Sequence, residues 1–106
     1  MNESIENNIK VVTLCGSMRY LNQMMEIAGK LELEKGYSVI QCVYNVSNNR
    51  YNEKDMEMLG KLHKRKIDVS DAIYVVNIDG YIGNSTKSEI EYALKHGKEV
   101  IYHEAI

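Results

Sequence analysis

The hydrophobic period of this chain switches back and forth along its length, and that switching admits few folds. Residues 9–15, Ile-Lys-Val-Val-Thr-Leu-Cys, form a β-branched run that Gly16 and Ser17 end. From 20 to 35 the period becomes helical, with Leu21, Met24, Met25, Ala28 and Leu31 on one face. Gly36 supplies a stop, because a left-handed residue costs glycine little. Residues 37–43 read as a second strand, 53–69 as a second helix and 72–77 as the clearest strand in the chain. A third helix is predicted over 85–96, ended by Gly97, and a last strand over 99–103. On the second helix Met56, Leu59, Leu62, His63 and Ile67 share a side, and Gly60 weakens it by ~1 kcal/mol relative to alanine.

Strands that alternate with helices imply a parallel sheet covered on both faces and joined by right-handed crossovers. The near-continuous apolar run at 72–76 fits a strand buried on both sides. The expected fold is therefore α/β, three layers, flavodoxin- or Rossmann-like, with strand order 2-1-3-4. In that order strands one and three are neighbours, and ligands bind beyond their carboxyl ends, where the chain reverses direction. Two loops, 15–19 and 78–89, should face each other there. Residues 1–8 are expected to be a flexible tail and 9–106 a single domain, since 106 residues build one core.

Charge excludes some functions. Thirteen Lys and Arg against 15 Asp and Glu leave a net −2, which is no footprint for duplex nucleic acid or an anionic membrane. The start of the chain is polar and acidic, unlike a signal peptide, and nothing approaches the ~18 apolar residues of a membrane span. Cys15 and Cys42 read as reduced thiols, and the expected location is the cytoplasm. The run Lys61, Lys64, Arg65 and Lys66 reads as a solvated helix face. His96 and His103 have no metal-ligand spacing with the cysteines, so no metal site is expected.

The first loop, Cys15-Gly16-Ser17-Met18-Arg19, joins a strand to a helix start. A tight turn at Gly16, the Ser17 hydroxyl and N–H, and the Arg19 guanidinium together suit a phosphate or carboxylate. Equally, Ser17 could only cap the helix while Arg19 is solvated. The second loop offers Asn77, Asp79, Gly83, Asn84 and Ser85 as polar contacts, and Glu89 follows early in the third helix. Thr86-x-x-Glu89 also fits a capping box, in which Glu89 would reach back to the Thr86 N–H. Capping and chemistry need not exclude each other. Tyr44, Arg50 and Tyr51 in the long loop before the second helix could stack on a base or be plain loop residues.

Cys15-Gly16-Ser17-Met18-Arg19 resembles the Cys-Gly-Ser-x-Arg loop of 2′-deoxynucleoside 5′-phosphate N-hydrolases. Glu89-Ile90-Glu91-Tyr92-Ala93 resembles the Glu-Leu-Gly-Tyr-Ala segment of nucleoside 2-deoxyribosyltransferases, and residues 62–76 look like that superfamily's helix-then-strand core. The resemblance implies cleavage of the N-glycosidic bond of a 2′-deoxynucleoside or its 5′-monophosphate. Glu89 would be the nucleophile, and Gly16, Ser17 and Arg19 would hold the phosphate. No metal or organic cofactor is implied. Where the family commonly has an aspartate ahead of strand three this chain has His63, either an acid for the leaving base or a core histidine. Gly83 stands where the hydrolases have a serine, with Ser85 or Thr86 as substitute hydroxyls, and Thr13 replaces a tyrosine. The alternative is a nucleotide-binding module of the same fold without turnover. Relatives assemble, so at least a homodimer is expected.

Overall fold

The computed structural model describes residues 8–106. Of the expected tail, 1–8, all but the exposed Asn8 lies outside the described residues. The elements run β1 (Val11–Gly16), a 3-10 turn (Met18–Tyr20), α1 (Leu21–Lys35), β2 (Ser38–Ile40) and α2 (Glu53–Asp68). They continue through β3 (Ala72–Val76), a second 3-10 turn (Ile78–Gly80), α3 (Asn84–Lys95) and β4 (Glu99–Tyr102). The four strands form one sheet in the order β2-β1-β3-β4, every pair parallel. This is the expected flavodoxin-like α/β arrangement.

Residue alternation along β1 sorts the core into two layers, because successive strand side chains point to opposite faces. Leu14 packs with Met24, Ile27, Ala28 and Leu31 of α1 and with Val76, whereas Cys15 packs with Ile67, Ala93, Ile73 and Val75 on the other face. Thus α1 covers one side and α2 with α3 the other. Each such buried aliphatic side chain contributes roughly 1.5–3 kcal/mol. Met25, expected beside Met24, is instead 36% exposed: α1 touches the sheet through a narrower stripe than its sequence suggests. Met56 and Leu62 are likewise half exposed, because that stretch of α2 borders a cleft.

Local chemistry fixes the ends. Gly36 closes α1 at φ 69°, donating to the Glu32 carbonyl while Tyr37 N–H reaches Leu31. Asn52 and Asp55 make a reciprocal capping box that starts α2, which the sequence reading missed. β2 is shorter than the predicted 37–43. It is an edge strand that pairs with β1 only from Val11↔Ser38 to Thr13↔Ile40, and then the chain turns toward the cleft.

Candidate active site

Across the sheet face that α2 covers, a strand and a helix run in step. Thr13 Oγ1 donates to the Lys66 carbonyl at 3.1 Å and hydrogen-bonds Ser70 Oγ, while Cys15 Sγ lies 3.3 Å from His63 Nε2. Two strand residues span ~6.6 Å and one helical turn ~5.4 Å, so strand positions 13 and 15 meet helix positions about a turn apart. Thr13, where the resembled family has tyrosine, is therefore a clamp on α2. His63 is buried and faces the end of β1.

Glu89 meets this pair from α3. The helix starts at Asn84 with Gly83 as its N-cap and Lys87 N–H bonded to the Gly83 carbonyl at 3.0 Å. Thr86 is thus inside the helix and buried, and the expected Thr86–Glu89 capping box does not form. The Glu89 carboxylate is left for the cleft: its side chain is 16% exposed, with Oε1 3.7 Å from His63 Nε2. The donor atoms of Cys15, His63 and Glu89 all lie within 4.8 Å of one another.

Burial governs their protonation. It pushes Glu89 up to about 7, against the opposing pull of the Cys15 thiol hydrogen bond and the Lys64 charge. It pushes His63 down to about 4, helped by the Lys66 charge. The imidazole is therefore neutral at pH 7, and its contact with Glu89 is polar packing rather than an ion pair. Cys15 is raised well above the thiol range by burial and then by Glu89, so it remains a thiol.

Glu89 and His63 floor a cleft of about 710 Å³ at the carboxyl ends of the strands, with the Cys15 thiol buried beneath them. Gly16, Ser17 and Met18 form one wall, and Tyr81, Gly83 and Ser85 stand opposite, so the two expected loops do converge. Asn84 and Thr86 also face it. Apolar area comes from Leu14, Met56, Leu59 and Leu62, and Tyr51 of the long loop reaches it. Half-buried Lys66 lines it too, an exception to the expected solvated face, whereas Arg65 borders the cleft with its side chain 75% exposed, as expected. The position of Lys66 one turn beyond His63 carried that information in the sequence.

Four other expectations change. Gly16 is the last residue of β1, and what requires glycine is close packing: a Cβ there would sit 3.0 Å from Met24 Sδ and 3.2 Å from Val76 Cβ. Arg19 does not line the cleft; it is exposed, with its guanidinium carbon 3.9 Å from the Tyr81 ring centroid, and its N–H donates to Ser17 Oγ at 3.2 Å. Asn77 is buried away from the cleft, in a reciprocal bond with the Glu104 backbone: Nδ2 donates to its carbonyl at 2.9 Å and Oδ1 accepts its N–H at 2.7 Å. Asp79, at φ 55°, also lies outside the cleft lining, its N–H donating to the Glu104 carboxylate at 3.1 Å.

Among the described residues no helix is long and apolar enough to cross a membrane. No family model matches the chain, and no curated protein does. Among solved structures it is similar to that of a conserved protein from Enterococcus faecalis V583, at 16% sequence identity and a TM-score of 0.60. That match covers 89% of this chain and 62% of the other, so the chain spans less than two thirds of its neighbour's length. At this identity the likeness establishes the α/β fold that the two share.

Proposed function

We propose that the protein cleaves the N-glycosidic bond of a 2′-deoxynucleoside or its 5′-monophosphate, with Glu89 as the nucleophile. The observation that carries this reading is a carboxylate set into the floor of a cleft between the two switch-point loops, free of any capping role. The resemblance of the first loop to the N-hydrolases and of the Glu89 segment to the deoxyribosyltransferases supports the same substrate class.

In this scheme a Glu89 oxygen attacks the anomeric carbon as its bond to the base nitrogen breaks, and the base departs with a proton taken from solvent in the cleft. The resulting ester is opened by water, which leaves its hydroxyl on the sugar, returns one proton to solvent and restores the carboxylate. A second base in place of water would make the reaction a transfer. A sugar without a 2′-hydroxyl forms the cationic transition state more readily, which favours deoxy substrates. With its pKa near 7, Glu89 is partly ionised at neutral pH, and that ionised form is the nucleophile. His63, neutral there, orients the carboxylate and supplies a ring nitrogen for proton movement. Ser17 with Lys66 and Arg65 on the cleft lining suits a 5′-phosphate better than Arg19, whose guanidinium lies over Tyr81.

Incubation with each deoxynucleoside and its monophosphate, with free base followed by chromatography, tests the proposal. Base release that disappears in Glu89→Gln is expected; a silent wild type, or an undiminished variant, refutes it. A new nucleoside on adding a second base distinguishes transfer from hydrolysis. The second reading, a nucleotide-binding module without turnover, is favoured by the absence of a cationic proton donor among Cys15, His63 and Glu89. It predicts saturable binding without product and little effect of Glu89→Gln on affinity. We also expect a homodimer, which would cover half-exposed Val43, Met56 and Leu62 beside the cleft; a monomeric mass by light scattering refutes this.

A further inference from the structure

We propose that Cys15, His63 and Glu89 form a three-ligand site for a divalent transition-metal ion of the zinc type, with a fourth coordination position open to the cleft. One thiol, one imidazole and one carboxylate are a donor set that borderline-soft ions favour and that magnesium and calcium do not. The spacing suits such an ion. With metal–ligand bonds of ~2.0–2.3 Å, tetrahedral geometry separates neighbouring ligand atoms by about 3.2–3.7 Å. Sγ to Nε2 is 3.3 Å and Nε2 to Oε1 is 3.7 Å, and the third edge lies within 4.8 Å. Each ligand comes from a different element, β1, α2 or α3, so the sheet and its two covering helices hold the triangle together.

Charge balances as well. The thiol loses its proton to solvent on binding, and thiolate plus carboxylate then cancel the two positive charges of the ion. This matters in a place where an unpaired ion would be costly. Of the cations that act on the triad, Lys66 is held by the Gln41 carbonyl at 3.0 Å and Lys64 lies outside the cleft lining. The inference is independent of the reaction proposed above. If that reaction is correct, the ion ties up the carboxylate that attacks the sugar, so bound metal should inhibit turnover.

The test uses the full chain stripped with a chelator and titrated with cobalt(II) alone, then with zinc(II) as competitor. A tetrahedral visible spectrum with a thiolate charge-transfer band, saturating at one ion per chain and erased by zinc, is expected. Cys42→Ser should retain it. Cys15→Ser, checked for folding by circular dichroism, should lose the charge-transfer band, and Glu89→Gln should keep that band while binding at least about tenfold more weakly. No band, a band that survives in Cys15→Ser, or one that disappears in Cys42→Ser overturns the proposal. Because the readout is the metal's own spectrum, failure of the site and failure of the glycosidase reading remain separate results.

Discussion

Replacing Glu89 with glutamine should abolish base release and at the same time make the protein more stable, by an amount that depends on pH. Glutamine keeps the shape of the side chain and removes its titration. In the native protein the carboxyl loses its proton at about 7, in the unfolded chain at the ordinary 4.5. Below 4.5 both states hold the proton and the two proteins differ little. As pH rises from 4.5 to 7 the unfolded state ionises while the native state does not, and wild-type stability falls. Above 7 the whole penalty remains, roughly 3 kcal/mol at 1.36 kcal/mol per unit. The variant should therefore gain on the order of 3 kcal/mol at pH 8 and almost nothing at pH 4.5. The chain has no tryptophan, so urea unfolding is best followed by far-ultraviolet circular dichroism, with a chelator present throughout. His63 titrates in both proteins and largely cancels in the difference. A stability difference that does not change with pH, or a variant less stable than wild type at pH 8, would refute the reasoning.

His63 sets the opposite limit: its pKa is lowered from 6.5 to about 4, so stability present above 6.5 is lost as pH falls toward 4, and His63→Gln should flatten that loss in urea titrations. Gly16→Ala should cost ~1–3 kcal/mol in chemical denaturation, because its methyl meets Met24 and Val76, whereas Gly83→Ala, with Tyr81 Oη the nearest atom at 3.6 Å, should cost far less. Asn77→Ala should lower stability by about 1–3 kcal/mol through the unpaired Glu104 backbone, with KM little changed. Arg19→Ala should raise KM for a deoxynucleoside monophosphate less than Lys66→Ala does; the reverse order would restore Arg19 to the phosphate site.

The fold was legible because helices and strands carry different periods, and parallel order constrained four strands to one crossing point. Local rules also held where the partner is near in sequence, as at Gly36. They failed where the partner is remote. Asn77 and Asp79 look like loop ligands until Glu104, 27 residues beyond Asn77, takes their hydrogen bonds. Arg19 looks like an anion clamp until Tyr81 offers its ring. Thr86 and Glu89 have capping-box spacing, yet α3 begins earlier, at Asn84, so Thr86 lies buried inside the helix and Glu89 faces His63. Within the site Glu89 and His63 were visible as residues. That they meet Cys15 was not, because it depends on how far α2 is slid along β1.

That sliding distance has a consequence for how such a cleft can change. The Thr13 contacts to Lys66 and Ser70 act as a detent between strand and helix. Deleting one residue between 64 and 69 would turn the upstream part of the helix by ~100°. His63 would be carried off its neighbours although every strand stayed paired. The spacing from His63 to Ser70 must therefore be kept to the residue.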